Sequence, residues 1–234
     1  MISRVAPVAG RVVLLLAVLY GFLVGLGLLL TRVLDDSGLV REEDQFNQSL
    51  EDGRTPTMND VTYVLSGLGN TGAIIAALVV VAVGLRIASK KWSMSIFLVL
   101  AVSAQALVFL LVTLVISRQR PDVKRLDASP PTSSFPSGHT GAATALFLGS
   151  ALLIAWYVKR RAAKILAITL LVAVPLLVAY GRLYRGMHHP TDIVAAWLNG
   201  IVCIAIASTN VLPRPWRSDR SPDPQQAPVT AGVR

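Results

Sequence analysis

Six runs of apolar residues, at roughly 12–30, 61–85, 95–117, 139–158, 165–181 and 193–212, dominate this chain. Each is close to the ~20 residues that a helix needs to cross a bilayer. The apolar residues come in blocks rather than in amphipathic stripes, and such blocks signal membrane spans. The expected fold class is therefore all-α: a polytopic membrane helix bundle with six transmembrane helices. Composition agrees, with 53% hydrophobic and 15% charged residues and a mean hydropathy of +0.60. Ser66-Gly67-Leu68-Gly69-Asn70 interrupts the second run, and Pro175 sits in the fifth, where packing against neighbours makes it tolerable. Val12–Leu30 ends in Thr31-Arg32-Val33-Leu34 without a small-residue cleavage site and reads as an uncleaved signal anchor.

A formal charge of +9 would suit a nucleic-acid binder, but the basic residues lie at the ends of apolar runs rather than on one arm or face. Their distribution carries topology instead. Arg4 and Arg11, Arg86, Lys90 and Lys91, Lys159, Arg160, Arg161 and Lys164, and Arg214, Arg217, Arg220 and Arg234 fall on one side, together with only Asp219 and Asp223. Both termini are thus expected in the cytoplasm, and nucleic acid is not an expected partner. The domain reading is a cytoplasmic N-terminus over 1–11, a six-span domain over 12–212 and a disordered cytoplasmic tail over 213–234. The outward polar connection 31–60 reads as a solvated short helix over the membrane face. Cys203, the one cysteine, excludes an intrachain disulfide and a cysteine metal site.

Chemistry gathers in two outward stretches, "SRQRPDVKRLDASPPTSSFPSGHT" over 117–140 and "YGRLYRGMHHPTDI" over 180–193, which hold all three histidines. His188 and Asp192 are four apart, a spacing that stacks side chains on one helix face. Pro190 suits the first helical position and Asp192 the first turn. A carboxylate on one ring nitrogen would leave the other as a nucleophile, and His189 reads as a bystander. Ser137 is placed to cap a helix beginning near His139, and Gly138 to let backbone N–H groups approach an anion. His139 could then give a proton to a leaving oxygen. Arg120 and Arg182 carry planar forks suited to phosphoryl oxygens. Singly, each of these residues reads equally as an ordinary interfacial one. Together they suggest a pocket between two loops.

In combination the residues resemble the type 2 phosphatidic acid phosphatase family, membrane lipid phosphatases related to vanadium haloperoxidases. Pro136, Ser137, Gly138 and His139 complete one family signature, and Arg182, His188 and Asp192 match the spacing of another, with Gly181 where serine is usual. Arg120 and Pro121 keep the end of a third, whose lysine position is held by Thr113. The resemblance covers roughly 45–212 and implies His188 as nucleophile oriented by Asp192, with His139 as acid and then base. It implies Arg120, Ser137, Gly138 and Arg182 on the substrate phosphate, and neither metal nor cofactor. Arg118, Lys124 or Arg125 could replace the missing lysine.

The function expected is hydrolysis of a lipid phosphate or diphosphate at the extracytoplasmic face of a cell membrane, with undecaprenyl-type isoprenoid diphosphate as the preferred substrate. Phosphatidate or phosphatidylglycerol phosphate hydrolysis is the alternative, as is a catalytically weak membrane protein that binds lipid phosphate. A transporter fits less well, because the runs carry almost no charge at mid-bilayer depth. A haloperoxidase is usually soluble.

Overall fold

The structure, a computed structural model, describes residues 2–35, 37–128 and 132–213, with side chains from residue 7 onward. The expected tail, 213–234, lies outside the described residues from 214 onward. Those described form helices and connections without strands: α1 (Ile2–Leu28, running on through a π-helical turn, Leu29–Val33), α2 (Gly38–Asp52), α3 (Pro56–Gly67), α4 (Thr71–Ser89) and α5 (Ser93–Val115). After a long connection come α6 (Gly138–Ala143), a second π-helical turn (Thr144–Leu148), α7 (Gly149–Tyr157), α8 (Arg161–Tyr184) and α9 (Pro190–Val211). Six segments are long and apolar enough to span a bilayer: Pro7–Val33, Thr71–Ser89, Ser93–Val115, Gly138–Tyr157, Arg161–Tyr184 and Pro190–Val211. The all-α, six-span expectation holds.

The second span is displaced from its expected position. It begins at Thr71, and residues 61–67 belong to α3, a separate helix. The apolar run conceals a helix stop and a helix start. The chain turns through Gly67–Asn70, and the Asn70 side chain accepts the Gly72 N–H at 3.0 Å, capping α4. Gly69 is required in that turn. A Cβ there would lie 2.9 Å from both the Cβ and the carbonyl oxygen of His139, and 2.8 Å from Val178. The break therefore brings the α3–α4 corner against the start of α6.

α5 and α9 pack along each other at the centre, with α1 against both, α4 against α5, and α8 against α3, α6 and α7. One buried cluster gathers around Phe97, Leu98, Leu146 and Val178, and a second around Leu23, Val108, Val112, Ile116 and Phe135. The buried Asn199 amide donates to the Gln105 carbonyl at 3.2 Å, linking α9 to α5 as polar groups do inside membranes. Val13, Leu14, Val80, Ile87, Leu114 and Leu166 stay exposed, as befits a lipid-facing surface.

The connection over 31–60 is not merely a solvated cover. Glu43 and Asn47 on α2 are buried, and Glu43 reaches the start of α9.

Candidate active site

The long connection between α5 and α6 is pinned before it delivers any functional group. Ser134 N–H donates to the Arg118 carbonyl at 3.0 Å and Ser134 Oγ to the Gln119 carbonyl at 3.0 Å. Arg54, between α2 and α3, donates to the carbonyls of Lys124 at 2.6 Å and Tyr184 at 2.9 Å. This connection is thereby fastened to the end of α8.

Pro190 occupies the first position of α9 and Asp192 its first turn, as the sequence suggests. His188 lies two residues before that helix, so the pair does not share a helix face. Its Nδ1 stands 2.8 Å from the Ser134 carbonyl oxygen, and 3.7 Å from Asp192 Oδ2. The carbonyl can only accept, so Nδ1 carries the proton and Nε2 keeps a free lone pair. At 3.7 Å the carboxylate is a charged neighbour rather than a hydrogen-bond partner. Burial pushes the His188 imidazole down to about 4, against the opposing pull of Asp192, so the ring is neutral at neutral pH.

Asp192 is fully buried and held from two sides. Oδ2 accepts the His189 backbone N–H at 2.8 Å, and Oδ1 accepts from Arg118 at 2.5 Å. Arg118 also donates to Glu43 Oε2 at 2.7 Å and Thr191 Oγ1 at 2.7 Å. Burial works against the Arg118 charge, but Asp192 and Glu43 outweigh it and hold the guanidinium above its usual value. His189 is more than a bystander. It caps α9, and its buried ring lies 3.4 Å from Asp44 and 3.5 Å from Asp192.

Beside His188 opens a cavity of about 950 Å³. Its wall includes Arg120, Asp127, Gly138, His139, Arg182 and His188, and also the apolar Ile74, Leu78, Val102, Phe109 and Leu110. A polar head and an apolar body thus share one space. Arg120 donates to the Met187 carbonyl at 2.6 Å, and Arg182 to Ser66 Oγ at 2.9 Å and Asp127 Oδ2 at 3.0 Å. The Nε atoms of both arginines are buried without a partner, a condition a phosphoryl oxygen would relieve.

Five of the seven expected residues therefore meet on the cavity wall. Ser137 and Asp192 do not. Ser137 is fully buried, caps α6 by accepting the Thr140 N–H at 3.5 Å, and donates to Thr140 Oγ1 at 3.1 Å. Gly138 is needed for packing as well as access, since a Cβ there would lie 2.8 Å from the Phe109 ring.

The departures at 181 and 113 acquire physical context. A Cβ on Gly181 would stand 3.0 Å from Ser66 N and 3.2 Å from the Thr62 carbonyl, so α8 closes on the backbone of α3 at that point. The hydroxyl absent from position 181 is supplied beside Arg182 by Ser66. No such replacement answers Thr113, whose hydroxyl donates to its own helix at Leu110. Arg118 is occupied by Glu43 and Asp192, and Lys124 and Arg125 are exposed and absent from the cavity wall.

Sequence reasoning missed Ser66, Glu43, Asp127 and Arg185. Asp127 bridges Arg182 and Arg185, at 3.0 Å and 2.6 Å. Burial disfavours the Asp127 charge, but the Arg185 hydrogen bond and the two guanidinium charges hold its carboxyl below the usual range. The one available signal was arithmetic: eleven of the 13 acids fall in the connections that the sequence reading expects to face outward, beside arginines that need partners.

The model of the PAP2 superfamily matches residues 92–216, over half of the chain. The chain belongs to the PAP2 superfamily. Among solved structures this PAP2 protein is similar to the first transmembrane PAP2 type phosphatidylglycerolphosphate phosphatase from Bacillus subtilis, at 20% identity and a TM-score of 0.71, covering 81% of this chain and 94% of that one. It is also similar to LpxE of Aquifex aeolicus, at 22% identity and a TM-score of 0.57, covering 70% of this chain and 93% of that one. At these identities the likeness is one of fold. No curated protein matches the chain by sequence.

Proposed function

We propose that this PAP2 protein is a membrane phosphatase that hydrolyses a lipid phosphate or diphosphate through a phosphohistidine. The observation that carries the reading is the meeting, on one cavity wall, of His188, His139, Arg120 and Arg182, delivered by separate segments. His188 Nε2 attacks phosphorus, the bond from phosphorus to the lipid-side oxygen breaks, and His139 gives that oxygen its proton. His139 then takes a proton from water, which attacks phosphorus. The N–P bond breaks, releasing phosphate and restoring the imidazole.

Arg120, Arg182 and the Gly138 N–H stabilise the equatorial oxygens, where charge develops in the transition state. Ser137 contributes by capping the helix that carries His139, and Asp192 by fixing the strand of chain that carries His188. The positive charge comes from arginine, so the scheme works without a metal.

The apolar part of the cavity suits a lipid tail. The basic-residue asymmetry supports a reading in which both termini are cytoplasmic and the cavity opens on the extracytoplasmic side of a cell membrane. Undecaprenyl-type isoprenoid diphosphate, exposed on that side, is the preferred substrate. Phosphatidylglycerol phosphate is the second reading, favoured by the activity named for the Bacillus structure.

The test is phosphate release by purified protein in EDTA, on isoprenoid diphosphates, phosphatidate and phosphatidylglycerol phosphate, beside His188→Ala. Turnover that survives EDTA and falls at least ~10³-fold in the variant is expected. Turnover that His188→Ala retains would sink the reading.

A further inference from the structure

Behind the nucleophile, and outside the cavity wall, lies a line of three buried charges. Glu43 on α2, Arg118 after α5 and Asp192 on α9 are 4%, 8% and 0% exposed. Arg118 joins the two carboxylates, at 2.7 Å to Glu43 and 2.5 Å to Asp192. The other Glu43 oxygen accepts the Thr191 N–H at 2.6 Å. Buried triads of this kind are poor stabilisers, because desolvation takes back most of the Coulomb gain. Their value must then lie in what they orient.

We propose that Arg118, anchored by Glu43, is a positioning residue for the His188 nucleophile, an inference that rests on the function proposed above. It acts by two routes. Through its side chain it fixes the rotation of the Asp192 carboxylate, turning Oδ1 away from His188 and leaving Oδ2 to the His189 N–H. Through its carbonyl it holds the Ser134 N–H, and the Ser134 carbonyl in turn takes the His188 Nδ1 proton. One residue thus sets both groups that face Nδ1.

The charge of Arg118 matters as much as its shape. An unopposed Asp192 beside His188 would favour imidazolium, which has no lone pair to attack phosphorus. Arg118 cancels that field. The other charged or titratable groups on the cavity that His188 faces are Arg120 and Asp127 from the connection after α5, His139 from α6 and Arg182 from α8, with Asp127 paired to Arg182. From α2, Glu43 and Asp44 reach only Arg118, Thr191 and His189.

The experiment needs a readout that loss of structure alone would not move. With only three histidines, ring-labelled full-length protein in detergent lets the His188 midpoint be followed directly by NMR, alongside kcat, KM and the pH profile. Arg118→Gln is expected to raise the His188 midpoint by about one pH unit, since an adjacent carboxylate becomes uncompensated. Its kcat should fall ~10-fold or more with KM little changed. Arg118→Lys keeps the charge but loses the fork, so the midpoint should stay while kcat falls. Glu43→Gln removes a negative charge and should move the midpoint in the opposite direction.

Opposite signs for the two substitutions carry the proposal. An unmoved midpoint in Arg118→Gln, or shifts of one sign in both, overturns it. If Arg118→Gln does not fold, Arg118→Lys and Glu43→Gln decide: a midpoint that moves with the first, or does not fall with the second, overturns the proposal. The NMR readout stands whether or not any lipid is turned over. A wild-type protein without activity would therefore defeat the phosphatase reading separately.

Discussion

The two ends of the bundle treat their arginines differently. Where α8 meets α9, Arg118, Arg182 and Arg185 are buried and each is gripped by Glu43, Asp127 or Asp192. At the opposite end Arg86 lies over the Trp92 ring at 5.0 Å and Lys164 reaches the Ala155 carbonyl at 2.9 Å, with neither fully buried. Arg86 Nε also lacks a partner, yet its surroundings are Val83, Ile87, Ile96 and Val99, with no histidine among them. Burying charge is expensive. Among the described residues the buried and paired arginines lie next to two histidines and a cavity, and under the proposed function they are held there for chemistry. The other end uses its cations at the interface, where stems can snorkel and heads stay wet.

The sharpest way to break that contrast is to remove one arginine from each end. Arg182→Ala should lower kcat/KM by ~10²–10³, the loss expected when a group aimed at transition-state oxygens is removed. Arg86→Ala should leave it within about twofold, an interfacial stacking loss affecting insertion more than chemistry. Equal losses measured with the same substrate would show that the two ends differ only in appearance.

A second effect concerns pH. His188 is depressed to about 4, so its neutral, attacking form persists below the range where an ordinary histidine becomes charged. The acid limb of kcat/KM assigned to this residue should therefore lie near pH 4, with activity lost as pH falls through it. An acid limb near 6.5 would mean that His188 is wetter and less constrained than the buried geometry implies.

Much of this site was legible in the sequence, because its parts are local. Pro136 to His139 form one turn, Pro190 and Asp192 form one helix start, and six apolar runs bring their flanks together at one end. Ser66 and Glu43 were hidden for the opposite reason. Each pairs with a residue 116 or 75 positions away, and such a pairing leaves no periodicity behind. The α3–α4 break was partly written, since Asn70 is a good cap, but apolar flanks on both sides disguised it as one span.

The packing of α8 on α3 offers a smaller and separable effect. Ser66→Ala removes a hydroxyl that accepts from Arg182, a hydrogen bond to a charged group, and should reduce kcat/KM ~10-fold while leaving the fold in place. Gly181→Ser should do the reverse, lowering thermal stability in detergent by about 1–3 kcal/mol because the new Cβ meets backbone that cannot rotate away. If Gly181→Ser proved neutral in thermal unfolding, α3 would have to be free to retreat, and Arg182 would lose its fixed support.

The smallest effect tests whether the site lacks anything. Thr113 lies three and four residues after Leu110 and Phe109, both on the cavity wall, so a longer side chain from 113 shares their helix face. Its own hydroxyl is turned back to the Leu110 carbonyl, and it adds no charge to the cavity. Thr113→Lys would place a flexible ammonium on a four-carbon stem within range of the head group, where a third cation joins Arg120 and Arg182. Those two already bring forks with unpartnered Nε donors, and a third charge must itself be desolvated. The expected gain is therefore modest, about 2–5-fold in kcat/KM, carried by KM because an added point charge binds ground state and transition state alike. A gain above about 100-fold in kcat would instead mean that two arginines leave transition-state charge unanswered, and that this end of the bundle is one cation short.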